Sequence, residues 1–372
     1  MTSKLPRTAV IGGGILGVST AHQLARAGVD VVLMTEGELT SNASGRSLSW
    51  LNSAGMRADT YHRLRMAGID RYRTLVAHHP VSDWLRFDGG LAWTTATAAQ
   101  RMWDWHRCEQ NRGYDSYLLD RDEVDRRVPG VDADAVPATG AVWNPGEGWV
   151  DLPSLVRFLT EDYLAHGGRM VTGAGGCRLS VVAGRVDAVT TAKGHRCEVD
   201  AVVLATGSAV PAMAAELGVL IPDATPVSVL VRTKPLAHNL TAVLNTPRVA
   251  VRPAPGATLA VDSDWVSEHI VAIDGGAYAV PDDVVRALLA EAAAVLAGHP
   301  RIEPAWLGIG PKPIPGDGEP VLGRVDAVPG LSVAFTHSGA TLGLIAGELI
   351  AFEIIHDETH PLLSEFNVRR FG

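Results

Sequence analysis

The sequence predicts an α/β protein, α+β overall, with two lobes: one built on a parallel sheet, and a second, mostly antiparallel sheet inserted into it. Three observations support this fold class. The first 36 residues contain a strand, a glycine-rich turn, a helix and a second strand. Apolar strands that end in small-residue turns recur at residues 201–204 and 331–335, and strands with alternating polarity lie between them. A chain of 372 residues also suffices for two hydrophobic cores.

The opening motif joins a strand to a helix through three glycines. An apolar run ends at Val10 and Ile11, and Gly12, Gly14 and Gly17 follow at the spacing GxGxxG. In such a turn the glycines permit, in order, a tight turn off the strand, a close approach to a pyrophosphate, and close packing of the helix on the sheet. The free N–H groups at the start of the helix attract phosphate. The motif therefore predicts a Rossmann-like nucleotide-binding lobe.

An acidic residue follows the second strand, as dinucleotide binding requires. A helix at residues 22–27 ends at Gly28, an apolar strand at residues 31–34 comes next, and Glu36 lies 24 residues after Gly12. A carboxylate at this place accepts hydrogen bonds from the hydroxyl groups of an adenosine ribose. The order of strand, glycine turn, helix, second strand and acid favours a dinucleotide site over a glycine-rich loop of another α/β protein.

Composition and charge argue against several classes of function. The formal net charge of −9 argues against a nucleic-acid partner. No apolar run reaches the roughly 18 residues of a membrane span, and residues 1–7 lead into the first strand without a secretory signal. Cys108, Cys177 and Cys197 show no CxxC spacing, so they predict neither a disulfide framework nor a metal site. We expect a reduced, cytoplasmic setting, and the oligomeric state stays open.

The part of the chain after Glu36 begins with small polar residues. Residues 40–50 suit a loop that leads into a helix N-terminus, where Ser44 would donate to a phosphate; a solvated connector is the alternative. Residues 136–149 are rich in proline and glycine and predict a crossing between the lobes. Asp151 is a candidate N-cap for a helix at residues 154–166. The remaining predicted elements are helices at residues 61–77, 101–112, 120–127, 284–297 and 342–355, and strands at residues 90–93, 169–172, 177–182, 185–191, 227–232 and 248–252.

Both lobes are expected to be discontinuous, because nucleotide-type segments lie at both ends and in the middle of the chain. We assign residues 1–80, 146–215 and 311–372 to the nucleotide-binding domain. Residues 81–145 and 216–310, which include the alternating strands, form the expected substrate-binding domain.

Five segments, in the same order, resemble the FAD-dependent D-amino-acid oxidase, glycine oxidase and monomeric sarcosine oxidase family, with glycine oxidase-like members closest in kind. The resemblance covers nearly the whole chain. Many flavin and nicotinamide enzymes share the first segment, whereas the last pair is much more specific. The segments are the GxGxxG turn with Glu36, residues 43–47 (Ala-Ser-Gly-Arg-Ser), 148–151 (Gly-Trp-Val-Asp), 205–207 (Ala-Thr-Gly), and 316–323 (Gly-Asp-Gly-Glu-Pro-Val-Leu-Gly) followed by 336–342 (Thr-His-Ser-Gly-Ala-Thr-Leu).

The resemblance implies FAD as the cofactor and assigns it contacts along the chain. The glycine turn would line the pyrophosphate, Glu36 the ribose, and Cys177 stands near the place where the family holds adenine with a valine backbone. Backbone N–H groups of the C-terminal loop would face the flavin pyrimidine, where donors favour the negative charge of the reduced ring. The implied cofactor-binding residues are Ile11, Gly12, Gly13, Gly14, Ile15, Leu16, Gly17, Glu36, Ser44, Arg46, Ser47, Leu48, Cys177, Ala205, Thr206, Gly207, Gly339, Ala340, Thr341 and Leu342.

Two departures from the family matter for the cofactor and the substrate. Sarcosine oxidases attach FAD through a cysteine just before the segment at 316–323, but residues 307–311 contain none, so we expect non-covalent FAD. Lys312 stands where glycine oxidase has an arginine that clamps the substrate carboxylate, and a lysine cannot form that planar bidentate pair. Arg252 is a second candidate for the carboxylate; the alternative is an ordinary exposed arginine on a strand.

The candidate catalytic residues are His337, Lys312 and Arg252. His337 lies in the turn nearest the expected flavin and would tune the flavin, accept the amine proton or cap the last helix. Lys312 would contact an anion or the flavin, unless it is a surface lysine in a proline-rich loop. Trp50 and Asn52 are candidates for lining the substrate pocket.

The activity implied by the resemblance is oxidation of an amine or amino acid with O₂ as electron acceptor. The substrate would be glycine, sarcosine or a larger N-substituted glycine, which transfers a hydride to flavin N5. Water would hydrolyse the resulting imine to an oxo acid such as glyoxylate and an amine. O₂, as the electron acceptor, would be reduced to H₂O₂. The alternatives are an FAD-dependent dehydrogenase with another electron acceptor, a non-catalytic nucleotide-binding protein, and an NAD-dependent dehydrogenase, which the opening motif alone does not exclude.

Overall fold

The computed structural model describes residues 5–80 and 83–372 of the chain. Residues 1–4 and residue 81 lie outside the described residues. The first four belong to the prediction about the N-terminus, and residue 81 is a predicted domain limit. The helices are α1 (Ile15–Arg26), α2 (Asp59–His78), α3 (Ala99–Asn111), α4 (Arg121–Arg127), α5 (Leu152–Ala165), α6 (Val210–Ala215), α7 (Asp282–Ala294) and α8 (Gly339–His356).

The strands follow the predicted pattern of short segments. They are β1 (Thr8–Ile11), β2 (Val31–Met34), β3 (Trp50–Leu51), β4 (Leu85–Arg86), β5 (Gly90–Ala92), β6 (Tyr117–Leu119), β7 (Ala141–Asn144), β8 (Gly148–Val150), β9 (Arg169–Val171), β10 (Cys177–Val182), β11 (Arg185–Thr191), β12 (Arg196–Glu198), β13 (Ala201–Leu204), β14 (Val227–Thr233), β15 (Val243–Asn245), β16 (Ala250–Ala254), β17 (Thr258–Asp262), β18 (Val271–Ile273), β19 (Ala277–Ala279), β20 (Pro304–Pro311), β21 (Val321–Arg324) and β22 (Leu331–Phe335).

The chain forms two compact units, each built from separated segments. The first unit contains the described residues up to Gly45, Leu152–Pro226 and Pro311–Gly372; the second contains Arg46–Asp151 and Val227–Gly310. These limits differ from the predicted domains, because residues 46–80 and 146–151 belong to the second unit and residues 216–226 to the first. The reason for the first difference is strand pairing, since β3 and β4 both pair with β8. Which domain binds which molecule stays a prediction.

The first unit is organised around a six-stranded sheet in the order β21-β22-β13-β1-β2-β9. β1 lies parallel to β2 and β13, with Val10 opposite Leu33 on one side and Val203 on the other. These three strands are buried along their whole length, which is why they are apolar without alternation. α1 packs against α5 and α8, and β10, β11 and β12 form a separate antiparallel sheet.

α8 is an unusually apolar helix of 18 residues. Within the described part of the chain it is long and apolar enough to cross a membrane by length and composition, with a mean hydropathy of 1.4. The sequence analysis predicted a helix here but no apolar run of spanning length, because Glu348 and Glu353 interrupt the apolar residues. However, 67% of the helix is buried inside the protein. Gly347 permits close packing on α1, since a Cβ atom at this position would lie 2.3 Å from Ser19 Oγ. The burial is that of a core helix.

The second unit contains an eight-stranded sheet in the order β20-β14-β17-β16-β15-β5-β7-β6. β14 and β17, β17 and β16, β16 and β15, β5 and β7, and β7 and β6 pair antiparallel, whereas β5 and β15 run parallel. β3, β8 and β4 form a small antiparallel sheet. The prediction of a crossing at residues 136–149 is wrong, because this stretch contains β7 and the start of β8. Its prolines and glycines lie mainly at or beside two turns, residues 138–139 before β7 and residues 145–146 between the two strands.

Candidate functional site

The glycine turn of the first unit requires glycine at two positions. Gly12 has a φ of +127°, and a Cβ atom there would lie 2.2 Å from the Ala205 carbonyl oxygen. A Cβ atom at Gly17 would lie 2.0 Å from the Gly12 carbonyl oxygen. The turn is held by hydrogen bonds from Gly12 N to Met34 O at 2.8 Å and from Ala205 N to Ile11 O at 2.9 Å. It therefore lies between the carboxyl ends of three parallel strands, where open α/β sheets bind ligands.

Two helix N-termini meet at this turn. α1 begins at Ile15 and α8 at Gly339, and a Cβ atom at Gly339 would lie 3.7 Å from the Ile15 side chain. Neither helix has an acidic residue in its first turn, so both present the positive end of the helix dipole. Ser44 Oγ accepts a hydrogen bond from Ile15 N at 3.0 Å and lies beside Gly14. The structure thus brings together predicted cofactor residues from three separate parts of the chain.

The acid after β2 also lies beside its predicted neighbour. Glu36 is exposed, and its carbonyl oxygen accepts a hydrogen bond from Gly175 N at 3.2 Å. Burial raises the pKa of the Cys177 thiol, and the negative charge of Glu36 adds to the rise. The residues predicted to contact ribose and adenine therefore lie close together.

The other predicted residues of the first unit lie near the ends of strands. Thr206 and Gly207 follow β13, and Gly207 has a φ of +62°. Lys312 is half-buried directly after β20, where its N–H donates to Pro226 O at 2.9 Å. His337 is exposed in the turn before α8, between the buried residues Thr336 and Ser338. The roles of these side chains stay predictions.

In the second unit, Arg46 lies flat against β20. A Cβ atom at Gly310 would lie 2.5 Å from a terminal nitrogen of Arg46, and one at Gly308 would lie 2.7 Å from Arg46 Cγ and 2.2 Å from the Trp306 ring. The two glycines thus leave room for the arginine. Burial lowers the pKa of Arg46.

Arg252 is enclosed by the second unit. It has 0% exposed surface, its Nε donates to the Leu48 carbonyl oxygen, and one terminal nitrogen donates to Pro253 O at 2.7 Å. The other terminal nitrogen lies 3.9 Å from the Asp151 carboxylate. Burial lowers the pKa of Arg252 to about 9; the charge of Arg232 adds to the shift and that of Asp151 opposes it. The alternative of an ordinary exposed arginine is therefore wrong. Two nitrogens of Arg252 bind backbone oxygens, and its role at a substrate carboxylate stays a prediction.

A buried network of the second unit escaped the sequence analysis. Glu147 has 0% exposed surface, and its two carboxylate oxygens accept hydrogen bonds from Trp50 Nε1 at 2.7 Å and the Tyr114 hydroxyl at 2.5 Å. Glu109, 1% exposed, accepts from Gly55 N at 2.6 Å. Neither glutamate belongs to a recognisable motif. Glu147 stands in the sequence Pro-Gly-Glu-Gly, which favours an exposed turn, so no signal could have found it.

The environment of Glu147 opposes its ionisation. Burial raises the pKa of Glu147 to about 8. The hydrogen bonds from Tyr114 and Trp50 and the charge of Arg65 lower the pKa, whereas the charge of Glu109 raises it. Glu147 is therefore largely protonated at neutral pH.

Asn52, a predicted pocket residue, accepts hydrogen bonds from Arg65 through its backbone and side-chain oxygens at 2.8 and 3.0 Å.

A cavity of about 350 Å³ lies elsewhere in the second unit. Trp93, Arg101, Trp105 and Asn245 are among its lining residues. None of the predicted site residues lines this cavity.

The geometry of the first unit fits a dinucleotide such as FAD. The glycine turn leaves no side chain between the backbone and a ligand, and the two helix starts favour anions. The exposed carboxylate of Glu36 lies at the end of β2, where an adenosine ribose is expected.

Comparisons with known proteins agree with this fit. The chain matches the family described as FAD dependent oxidoreductase over residues 7–353. Mitochondrial dimethylglycine dehydrogenase of Rattus norvegicus is 28% identical over 173 residues, which cover 43% of this chain and 19% of the rat protein. The chain therefore matches only about a fifth of the length of this relative.

Two solved structures share the fold across almost the whole chain. L-amino acid deaminase from Proteus myxofaciens, in complex with anthranilate, has a TM-score of 0.83 at 19% identity and covers 99% of this chain and 94% of its own. Glycine oxidase from Geobacillus kaustophilus has a TM-score of 0.80 at 20% identity and covers 98% of both chains. At such identities the likeness shows the fold alone. The predicted fold class is confirmed.

Proposed function

Because the chain belongs to the FAD-dependent oxidoreductase family, we propose that it oxidises the carbon–nitrogen bond of glycine, sarcosine or a larger N-substituted glycine. The observation that carries this proposal is the meeting of the helix starts at Ile15 and Gly339 around the glycine turn. Two dipole ends without acidic residues favour the diphosphate of FAD and the negative charge of its reduced ring.

The substrate class is supported by a name and by a side chain. The rat relative is named for dimethylglycine, which is itself an N-substituted glycine. A substrate of this class carries a carboxylate, so the site needs a cation. Lys312 is our candidate, because it is half-buried and directly follows the strand that ends at Pro311. Arg252 is the weaker candidate, because it has no exposed surface.

The cofactor supplies the redox chemistry and the chain supplies orientation. A bound FAD would supply two-electron redox chemistry: uptake of a hydride from the substrate α-carbon and return of two electrons and two protons to O₂ as H₂O₂, while water would hydrolyse the imine to an oxo acid such as glyoxylate and an amine. The chain must hold the α-carbon in place, keep the amine neutral and exclude bulk water. We assign the acceptance of the amine proton to His337, because histidine is the side chain that most often acts as a general base and this one lies in the turn before α8.

Anaerobic reduction of the flavin tests the proposal. The purified holoprotein is mixed without oxygen with glycine, sarcosine and larger N-substituted glycines, and with the matching amines that lack the carboxylate. We expect bleaching of the flavin by at least one carboxylate substrate and little by its matching amine. Lys312→Met should raise KM for the carboxylate substrate about tenfold or more, whereas Lys234→Met, which removes an exposed lysine, should not. A flavin that dithionite reduces but no amine reduces would contradict the proposal.

An FAD-dependent dehydrogenase with another electron acceptor is the second candidate. The observation that favours it is the name of the rat relative, which is a dehydrogenase. The two candidates differ in the fate of the electrons. Stoichiometric H₂O₂ under air supports the oxidase, and fast dye reduction under nitrogen with little peroxide under air supports the dehydrogenase.

A further inference from the structure

Three arginines of the second unit lie close together around one buried tyrosine. The guanidinium carbons of Arg57 and Arg65 lie 5.5 and 5.4 Å from the centre of the Tyr61 ring. A terminal nitrogen of Arg112 donates to the Arg57 carbonyl oxygen at 2.5 Å. We call Arg57, Arg65 and Arg112 the arginine cluster, and all of its contacts lie within the second unit.

Two donor groups of the arginine cluster lack an acceptor. Arg57 Nε and one terminal nitrogen of Arg112 are buried, and neither has a hydrogen-bond partner among the described residues. By contrast, Arg65 donates to the backbone and side-chain oxygens of Asn52 at 2.8 and 3.0 Å. A buried donor without a partner costs free energy, and the cost is larger when the donor belongs to a charged group. The described part of the chain therefore leaves room for an acceptor from outside.

The ionisable groups next to the arginine cluster do not balance its charge. Asp59, which is exposed, pairs with Arg112 at 2.8 Å. Burial raises the pKa of Glu147 to about 8, so it is largely protonated, and burial and the charge of Arg112 lower the pKa of His62, so it is neutral. The oxygens of Glu109 are occupied, because they accept hydrogen bonds from an indole, a hydroxyl group, an amide and a backbone N–H. Even if Asp59 and Glu109 are both ionised, three guanidinium groups face two carboxylates among the described residues.

We propose that Arg57 and Arg112 form a binding site for the carboxylate group of a small organic acid. An excess of one positive charge favours a monoanion over a dianion such as sulfate, and the N–H groups of a guanidinium match the oxygens of a carboxylate. A Cβ atom at Gly55 would meet nothing within 4 Å, so there is open space beside the cluster. Arg57 is half-buried, so an acid can reach it from solvent. The proposal concerns the second unit alone and does not depend on the proposed oxidation.

Thermal unfolding of the holoprotein in acetate tests the proposal. Chloride is replaced stepwise by acetate at constant ionic strength. Two charge-assisted hydrogen bonds predict a Kd in the millimolar range, so acetate at about ten times its Kd should raise the Tm of wild type by about 2 °C. Arg57→Met should lose most of this rise. Arg63→Met, which makes the same change at an exposed arginine of α2, should keep it.

A second variant keeps the proposal testable if Arg57→Met does not fold. Arg57→Lys keeps the charge but lacks the Nε–H and the planar fork, so the Kd for acetate should rise about fivefold or more. Sulfate stabilises folded proteins in general, so it should raise the Tm of wild type and of the Arg57 variants equally.

Three results would overturn the proposal. The first is a wild type whose Tm responds no more to acetate than to chloride. The second is an equal effect of acetate on wild type and on the Arg57 variants. The third is a difference between them in sulfate as large as that in acetate. If the holoprotein oxidises no amine, the proposed function fails, but the effect of acetate on Tm still decides the carboxylate site.

Discussion

At the scale of single residues, the glycine turn of the first unit depends on side chains that are absent. At Gly17 a methyl group would meet the carbonyl oxygen of Gly12, and at Gly12 it would meet the carbonyl oxygen of Ala205. Backbone atoms cannot move aside as the end of a long side chain can. The two glycines therefore fix how closely α1 approaches β1 and β13, and with it the space left for a pyrophosphate.

Gly17→Ala should weaken both the fold and FAD binding. A Cβ atom 2.0 Å from a backbone oxygen forces α1 away from the turn, at a cost of roughly 3 kcal/mol in the free energy of unfolding. Thermal unfolding and the flavin content of the purified protein measure the two effects. The control is Gly176→Ala, where a Cβ atom meets nothing within 4 Å. Equal melting temperatures of the two variants would contradict the prediction.

The protonation of Glu147 should make stability depend on pH. In the folded protein the pKa is raised to about 8 from 4.5, so between these values the folded state binds a proton that the unfolded chain has lost. The contribution of this group to the free energy of unfolding is therefore full below about pH 4.5 and is lost as the pH rises through about 8. Relative to wild type, Glu147→Gln, which cannot ionise, should gain stability from pH 5 to pH 9. Urea denaturation at several pH values measures this, with the exposed Glu161→Gln as control. A difference that is constant over pH would contradict it.

Single residues also show where sequence reasoning ends. Gly12, Gly17 and Glu36 could be placed because their spacing is set by local backbone geometry. Arg252 was a candidate for a substrate carboxylate, with an ordinary exposed arginine on a strand as the alternative; the fold buries it completely, which no local pattern of the sequence could show. Glu147 could not be found, since its partners are remote in sequence: Tyr114 lies 33 residues before it and Trp50 97 residues before it.

At the scale of elements, the starts of α1 and α8 lie together at one end of the first unit. α1 has no side-chain cap at Gly14, and the oxygen that accepts from its first N–H belongs to Ser44, 29 residues further along the chain. The last helix of the chain thus meets the first, with Ser44 beside the start of α1. This arrangement favours negative charge at one place from two independent directions.

Ser44→Ala should lower the free energy of unfolding of the protein without FAD. It should also reduce the stabilisation that added FAD provides. The loss of an N-terminal cap costs about 1 kcal/mol in the free energy of unfolding. Because we also assign Ser44 to the diphosphate, the rise in melting temperature on addition of FAD should be smaller than in wild type. Thermal unfolding with and without FAD measures both effects. Ser44→Thr keeps the hydroxyl group and should retain most of each; an alanine variant that matches wild type in both would contradict the assignment.

The elements differ in how well the sequence could place them. The bounds of β10, β11, β13 and β22 agree with the predictions, because short apolar or alternating runs between glycines and polar turns leave little freedom. β7 and β8 were missed. Because of its proline and glycine, as at residues 145–146, the stretch was interpreted as a crossing between the lobes, although it contains two short strands. The start of α8 was placed three residues late, at Leu342 instead of Gly339, because Gly339 and Thr341 have low helix propensity although they lie in the first turn of the helix.

At the scale of the whole molecule, the chain leaves and re-enters each unit, so that residues remote in sequence share one core. The first unit joins strands from residues 8–34, 169–171, 201–204 and 321–335 in one six-stranded sheet, which is parallel except for the pair β21 and β22. The sequence predicted this interleaving from the recurrence of buried strands. It could not place the limits, because they follow from the pairing of β3 and β4 with β8, which is not a local property of the chain.

Non-covalent attachment of FAD is the prediction that belongs to this scale. Residues 307–311 contain no cysteine. The three cysteines are free and partly buried, and burial and the charge of Glu36 raise the pKa of Cys177, which disfavours its reactive thiolate. Acid precipitation of the yellow holoprotein should therefore leave the flavin in the supernatant. FAD added back to the apoprotein at about 100 times its Kd should stabilise it by about 2.7 kcal/mol, which raises the melting temperature by a few degrees. A pellet that keeps its colour after unfolding would show a covalent bond and contradict the prediction, whereas an apoprotein that does not respond to FAD would instead count against the cofactor site itself.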